Sequence, residues 1–152
     1  MNTWFSVRVM YDKVDEQGKN VKAKEVYLID ALSFTEAEAR AIGELTPYIS
    51  VEMRVTAMKI EDIAEIFNTD DEAADRWYRV KAVFIQLNEK TLKQQKRAQI
   101  SLVKGKSTED ATNRFHEGMK GTMADYEIHT VSETQFVDVF FYDLDKPNDE
   151  TR

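Results

Sequence analysis

The sequence predicts an α+β protein of two tandem strand-strand-helix-strand (ββαβ) repeats with pseudo-two-fold symmetry, a mostly antiparallel sheet covered by helices. Two observations lead there. Segments of period-two apolar alternation recur on either side of a segment with helical spacing. The same residue types also return 73 positions later: Trp4-Phe5-Ser6-Val7 matches Trp77-Tyr78-Arg79-Val80, Thr35-Glu36 matches Thr108-Glu109, and Phe67 matches Phe140, with no gap between these anchors.

The first strand of each repeat shows the alternation directly. Phe5, Val7, Val9 and Tyr11 fall on one face in the first copy, and Tyr78, Val80, Ala82 and Phe84 in the second. Val83, Ile85 and Leu87 are apolar as well, so the second copy's strand reads as covered on both faces. A polar stretch follows, Asp15 to Asn20 or Asn88 to Thr91, and then a second strand through Val26-Tyr27-Leu28-Ile29 or Ile100-Ser101-Leu102-Val103. Each pair is a long β-hairpin with a polar tip.

Helices come next. Ser33 or Thr35 precedes a glutamate by three residues, the capping-box spacing, and Ala37, Ala41, Ile42 and Leu45 lie on one face before Pro47. In the second copy Ser107 or Thr108 opens a helix with Ala111, Phe115 and Met119 inward, and Gly118 or Gly121 ends it. The extended regions 52–67 and 126–142 are long enough for a bent strand, or two strands split by a bulge. The organisation predicted is a first repeat 1–68, a joint 69–76 forming one capped helical turn, a second repeat 77–142 and a flexible tail 143–152, all one compact unit.

Composition narrows the functional classes. With 42% hydrophobic and 32% charged residues, the chain has a globular balance. No apolar run nears the roughly 18 residues a membrane span requires, and the first residues lack a secretory pattern. The absence of cysteine excludes disulfides, thiolate nucleophiles and Cys-ligated zinc. These features point to the cytoplasm. Net charge is −7, yet residues 77–141 carry 10 basic and 8 acidic groups. The surface as a whole repels nucleic acid, while the second half can attract an anion locally.

Three stretches resemble an uncharacterised family of Bacteroidetes, their mobile elements and gut phages, domain-of-unknown-function family 4494. They are Tyr27 to Arg40 (YLIDALSFTEAEAR), Asp71 to Trp77 (DEAADRW) and Glu117 to Tyr126 (EGMKGTMADY); with the flanking strands the likeness spans residues 1–142. It implies a bacterial or phage cytoplasmic setting and brings no activity, cofactor or catalytic residue.

No catalytic constellation or cofactor motif stands out. His116 and His129, the only histidines, have no nucleophile placed beside them and read as surface residues. Asp70, Asp71, Glu72 and Asp75 are oxygen donors for Mg²⁺ or Ca²⁺ by type but lack EF-hand spacing, and acidic residues at a helix start answer the helix dipole. Gly118-Met119-Lys120-Gly121-Thr122 pairs backbone N–H groups with a cation, as phosphate cradles do; a glycine cap with Lys120 facing the helix carbonyls is the simpler account. Lys90, Lys93, Lys96 and Arg97 make the second hairpin basic, with no interleaved aromatics for base stacking. Trp4 and Trp77 sit opposite the main apolar stripe, where they flank a central groove or an oligomer contact, or pack at the sheet border.

The ligand contacts expected are therefore Lys93, Lys96, Arg97, Lys120, Gly121, Trp4 and Trp77. The leading functional expectation is a non-catalytic binding protein of a phage or mobile element, in its specific form an anti-defence protein that captures a nucleotide signal or blocks a host protein. The first rival is a nucleic-acid accessory protein using the basic hairpin; the second is an enzyme using Lys120 or Asp125 on a phosphate ester.

Overall fold

The computed structural model describes residues 3–142. It contains eight strands in two mostly antiparallel sheets and two helices, so the protein is α+β. In chain order these are β1 (Thr3–Val14), β2 (Asn20–Ala31), α1 (Phe34–Leu45), β3 (Met53–Glu61), β4 (Glu65–Phe67), β5 (Arg76–Leu87), β6 (Gln94–Gly105), α2 (Thr108–Met119), β7 (Tyr126–Glu133) and β8 (Phe136–Phe140). No helix among the described residues is long and apolar enough to cross a membrane.

The chain divides into two compact units, one running to Glu61 and resuming at Gln135, the other Asp62–Thr134. The first holds the sheet β3-β1-β2-β8 and the second the sheet β4-β6-β5-β7. The extended regions do split in two, but the second piece of each pairs in the other unit. β4 joins the second unit, parallel to β6 at Glu65↔Ser101 through Phe67↔Val103, and β8 joins the first, parallel to β2 at Tyr27↔Asp138 through Ile29↔Phe140. The compact units thus depart from the boundaries 1–68 and 77–142, because the last strand of each ββαβ stretch is exchanged.

Each hairpin pairs over twelve residues a side, Thr3↔Ala31 to Val14↔Asn20 and Arg76↔Gly105 to Leu87↔Gln94. One side chain organises each tip. Asp15 Oδ1 accepts from the N–H groups of Gln17 and Lys19 at 2.9 and 2.8 Å, and Asn88 Oδ1 from Lys90 and Thr91 at 2.9 and 3.2 Å. The first tip turns through Gly18 at φ 81°, the second through Leu92 at φ 58°, an uncommon conformation for a branched side chain. The second tip is one residue longer, so the offset is 74 from the hairpin through the helix and returns to 73 at β3 and β7. The gap-free match of Thr35 with Thr108 is therefore corrected. The caps are Ser33, whose Oγ accepts from Glu36 N–H at 3.1 Å, and Ser107, accepting from Asp110 N–H at 3.0 Å.

Each helix lies on one face of its sheet. Ala37, Ala41 and Leu45 pack on Phe5, Val7, Val9, Tyr27 and Ile29. Ala111 and Phe115 pack on Tyr78, Val80, Ala82 and Val103. Gly118 does not end α2, which runs on to Met119. Its role is close approach: a Cβ there would stand 2.6 Å from the Phe67 ring. Both β3 and β7 carry a bulge, Thr56 and His129 being skipped where the register shifts between Arg8 and Val9 and between Lys81 and Ala82. The joint is not helical. It is a turn in which Asp71 O accepts from Ala74 N–H at 3.0 Å and Asp71 Oδ1 from Ala73 N–H at 3.0 Å. The expected tail 143–152 lies outside the described residues.

Candidate binding surfaces

The basic hairpin is a projecting ribbon. β7 follows β5 only as far as Phe84↔Tyr126, and β4 follows β6 only over Ser101–Val103. Beyond these points β5 and β6 pair with each other alone, and residues 86–98 are exposed except half-buried Asn88. The ribbon carries Lys90, Lys93, Lys96 and Arg97 against the single carboxylate of Glu89. Lys93 lies beside the turn, Lys96 faces Ile85 and Arg97 faces Phe84. Side chains alternate, so Lys96 and Arg97 occupy opposite faces and do not form one patch.

The register supplies aromatics that a linear reading of the hairpin lacks. Phe84 stands between Arg97 on β6 and Tyr126 on β7, all on the α2 face. The Phe84 and Tyr126 rings are 5.7 Å apart, and His116 of α2 stacks on Tyr126 at 5.7 Å. His116 Nδ1 and the Tyr126 hydroxyl are hydrogen-bonded at 2.7 Å. An exposed His116, half-buried Phe84 and Tyr126 and exposed Arg97 thus share one end of the second unit. His129 is exposed at its bulge, away from this row.

The other expected contacts are not gathered there. Lys120 caps α2: its N–H donates to Glu117 O at 3.2 Å and its Nζ to Glu117 Oε1 at 2.9 Å. Gly121, at φ 83°, lets the chain turn so that Thr122 N–H and Oγ1 both donate to Met119 O. Those N–H groups are spent on helix carbonyls and do not form an anion cradle. Trp77 is 2% exposed, with Lys104 Nζ 5.8 Å above its ring and its carbonyl accepting from Thr134. It is a core residue and offers no groove wall. Trp4 is half-buried in the first unit, edge-on to Phe141 at 5.5 Å.

The acidic joint is an anchor. Arg114 Nη2 donates to Asp71 Oδ2 at 2.7 Å, its Nη1 to Thr69 Oγ1 at 3.1 Å and its Nε to Asp110 Oδ2 at 2.8 Å. The Ala73 N–H, then Arg114, holds the Asp71 carboxyl below its ordinary value, and Arg114 does the same for Asp110. Among the described residues no three His, Asp or Glu side chains are grouped to hold a metal.

Arg40 occupies the matched position on α1. It donates to the carbonyls of Asp30 and Phe141, and its guanidinium lies 5.0 Å from the Tyr142 ring centre. The Tyr142 hydroxyl donates to Glu36 Oε2 at 3.3 Å. Each helix therefore clasps the chain that leaves the strand exchanged into its unit. Sequence reasoning missed these arginines, although Ser33-x-x-Glu36-x-x-x-Arg40 and Ser107-x-x-Asp110-x-x-x-Arg114 repeat the same spacing.

No curated protein and no solved structure matches the chain. One family does, its description being "domain of unknown function (DUF4494)", and the match runs over residues 3–142. With nearly the whole chain matched, both hairpins, both arginine clasps and both exchanged strands included, the protein belongs to this DUF4494 family.

Proposed function

We propose that this chain is a non-catalytic binding protein that engages an anionic partner through the β5–β6 ribbon. One observation carries the reading: in a chain of net charge −7, four cations and one carboxylate occupy a two-stranded projection with no third strand beside it. The first hairpin over residues 12–24 has four cations against three carboxylates, so the fold itself does not demand a cationic tip. An ordered turn holds these charges, which limits the entropy lost on binding.

The specific form is an anti-defence protein of a phage or mobile element, cytoplasmic, that captures a nucleotide signal or blocks a host protein. Its support is the setting that the family resemblance implies. Native mass spectrometry of the protein recovered from its own host's lysate tests it. A retained protein companion, lost in a K93Q/K96Q/R97Q variant, or a retained nucleotide mass is the expected result. Catalytic turnover of a nucleotide, abolished by one point substitution, would show the non-catalytic reading to be wrong.

A second reading, a nucleic-acid accessory protein, is favoured by the ribbon's shape and by the row of Arg97, Phe84, Tyr126 and His116. A two-stranded β-ribbon fits the major groove of DNA, and rings beside a cation suit single strands. It predicts binding to duplex or single-stranded DNA that falls steeply with salt and weakens in the same triple variant. Binding indifferent to both would remove it.

A further inference from the structure

We propose that the face of the first sheet turned away from α1 binds a small ligand carrying several linked phosphates, such as a nucleoside triphosphate, through Arg8, Lys24, Arg54 and Lys59. This rests on the reading of the chain as a binding protein; it names a ligand class and places the ligand outside the ribbon.

Alternation fixes the face. Phe5, Val7 and Val9 point into the core under α1, so Ser6, Arg8 and Met10 point to the other side. The register then sets their neighbours. Met10 lies between Arg54 on β3 and Lys24 on β2, Arg8 between Ala57 and Val26, and Ser6 between Lys59 and Leu28. Four cations from three strands, scattered in sequence, thus share this face: Arg8 lies two positions along β1 from the Lys24–Arg54 row on one side and from the Lys59 row on the other. Arg8, Lys24, Arg54 and Lys59 are all exposed. Among the described residues the side chains of Arg8, Lys24 and Arg54 make no ion pair.

Among the described residues only Lys59 of the four cations pairs with a carboxylate. Asp12 is held by Lys22 at 3.0 Å and Glu61 lies 3.6 Å from Lys59. Glu52 lines the same cleft as Arg54 and is in no ion pair with it. None of the four stands directly opposite another, and the fold does not require them. At the matched positions of the second sheet stand Lys81, Ala98, Glu127 and Ser132. Exposed cations that the fold does not require suit a phosphate-rich ligand.

The surface is also concave. A cleft of about 410 Å³ is lined by Met10, Tyr11, Asp12, Lys22, Glu52 and Arg54. A smaller one of about 170 Å³ has Arg8, Lys59, Ser6 and Gln135 around an apolar floor that includes Val26 and Met58. Arg8 and Met10, two apart on β1, separate the two. The smaller cleft suits a phosphate between Arg8 and Lys59, the ridge suits a second between Arg8, Lys24 and Arg54, and the larger cleft falls in the volume range of small-molecule sites.

Titration calorimetry of the whole chain with sodium triphosphate tests the proposal, with inorganic phosphate and a ten-residue oligothymidylate as further probes. Triphosphate should bind more weakly as salt rises and far more tightly than inorganic phosphate. R8Q/K24Q/R54Q should weaken it about a hundredfold, three exposed charge contacts at roughly fivefold each. K81Q, at the exposed position of the second sheet that matches Arg8, should leave it within about twofold. All these residues are exposed, and an unchanged melting curve verifies that both variants fold. No triphosphate binding at millimolar concentration, equal affinity for inorganic phosphate, tighter oligothymidylate binding to the same face, or full binding by R8Q/K24Q/R54Q would each overturn the inference. If triphosphate fails while the ribbon variant still loses a native partner, only this site falls; if both fail, the binding reading falls too.

Discussion

The two helix arginines do the same job with different chemistry. Arg114, steadied by Asp110 one turn back on its own helix at 2.8 Å, holds the outgoing chain of β4 through the Asp71 carboxylate at 2.7 Å and Thr69 Oγ1 at 3.1 Å. Arg40 holds the outgoing chain of β8 through two backbone carbonyls and the face of Tyr142. The cores beneath differ in the same manner. Phe115 fills the space under α2 and meets Phe67 edge-on at 5.5 Å. Its match on α1 is Ala41, and there Phe140 stacks instead on Tyr27 at 5.5 Å. The comparison teaches that strand exchange is the constant of this architecture, whereas the contacts that secure each strand are free to vary.

The largest effect should come from the core difference. Phe115→Ala removes the ring against which Phe67 and Tyr126 pack, and should cost about 3–5 kcal/mol. Ala41 is fully buried, so Ala41→Phe should also destabilise, by about 1–3 kcal/mol of overpacking. Chemical denaturation followed by tryptophan fluorescence measures both. If the first unit accepts Phe at Ala41 without loss, the two cores are more alike than their packing indicates.

Much of the comparison was legible in the sequence, and its omissions have physical causes. Alternation in β1 and β5, polar hairpin tips, a serine among the cap candidates of each helix, and a third extended region long enough for two strands all follow from local periodicity and turn chemistry. The exchange of β4 and β8 was not legible. A three- or five-residue strand reads the same whichever sheet receives it, and only tertiary contacts decide. Arg97 was visible as part of a basic run, but Phe84, Tyr126 and His116 reach it through register rather than sequence proximity. The cations Arg8, Lys24 and Arg54 escaped notice for the same reason: 46 residues separate the outer two, while the sheet sets both beside Met10.

The smaller prediction sharpens the contrast between clasps through pH. Asp71 and Asp110 have folded values depressed by their donors. A depressed carboxyl stabilises the folded state fully above its ordinary value, near 3.9, and loses that contribution as pH falls through the folded value. The Arg114 clasp should therefore loosen below about pH 4. The carbonyls and ring that Arg40 meets do not titrate in that window, and carboxylates reach the outgoing β8 chain through the longer Tyr142 contacts, at 3.3 Å each to Glu36 and Asp30. Hydrogen exchange between pH 2.5 and 6, corrected for intrinsic rate, should show protection of β4 and the Asp71 turn falling in acid before that of β8. An Asp71→Asn/Asp110→Asn variant should flatten the difference at little cost at neutral pH, since exposed ion pairs contribute little. Simultaneous loss of protection in both segments would mean that acid acts on a feature common to the two units, and that the chemical distinction between the clasps has no energetic consequence.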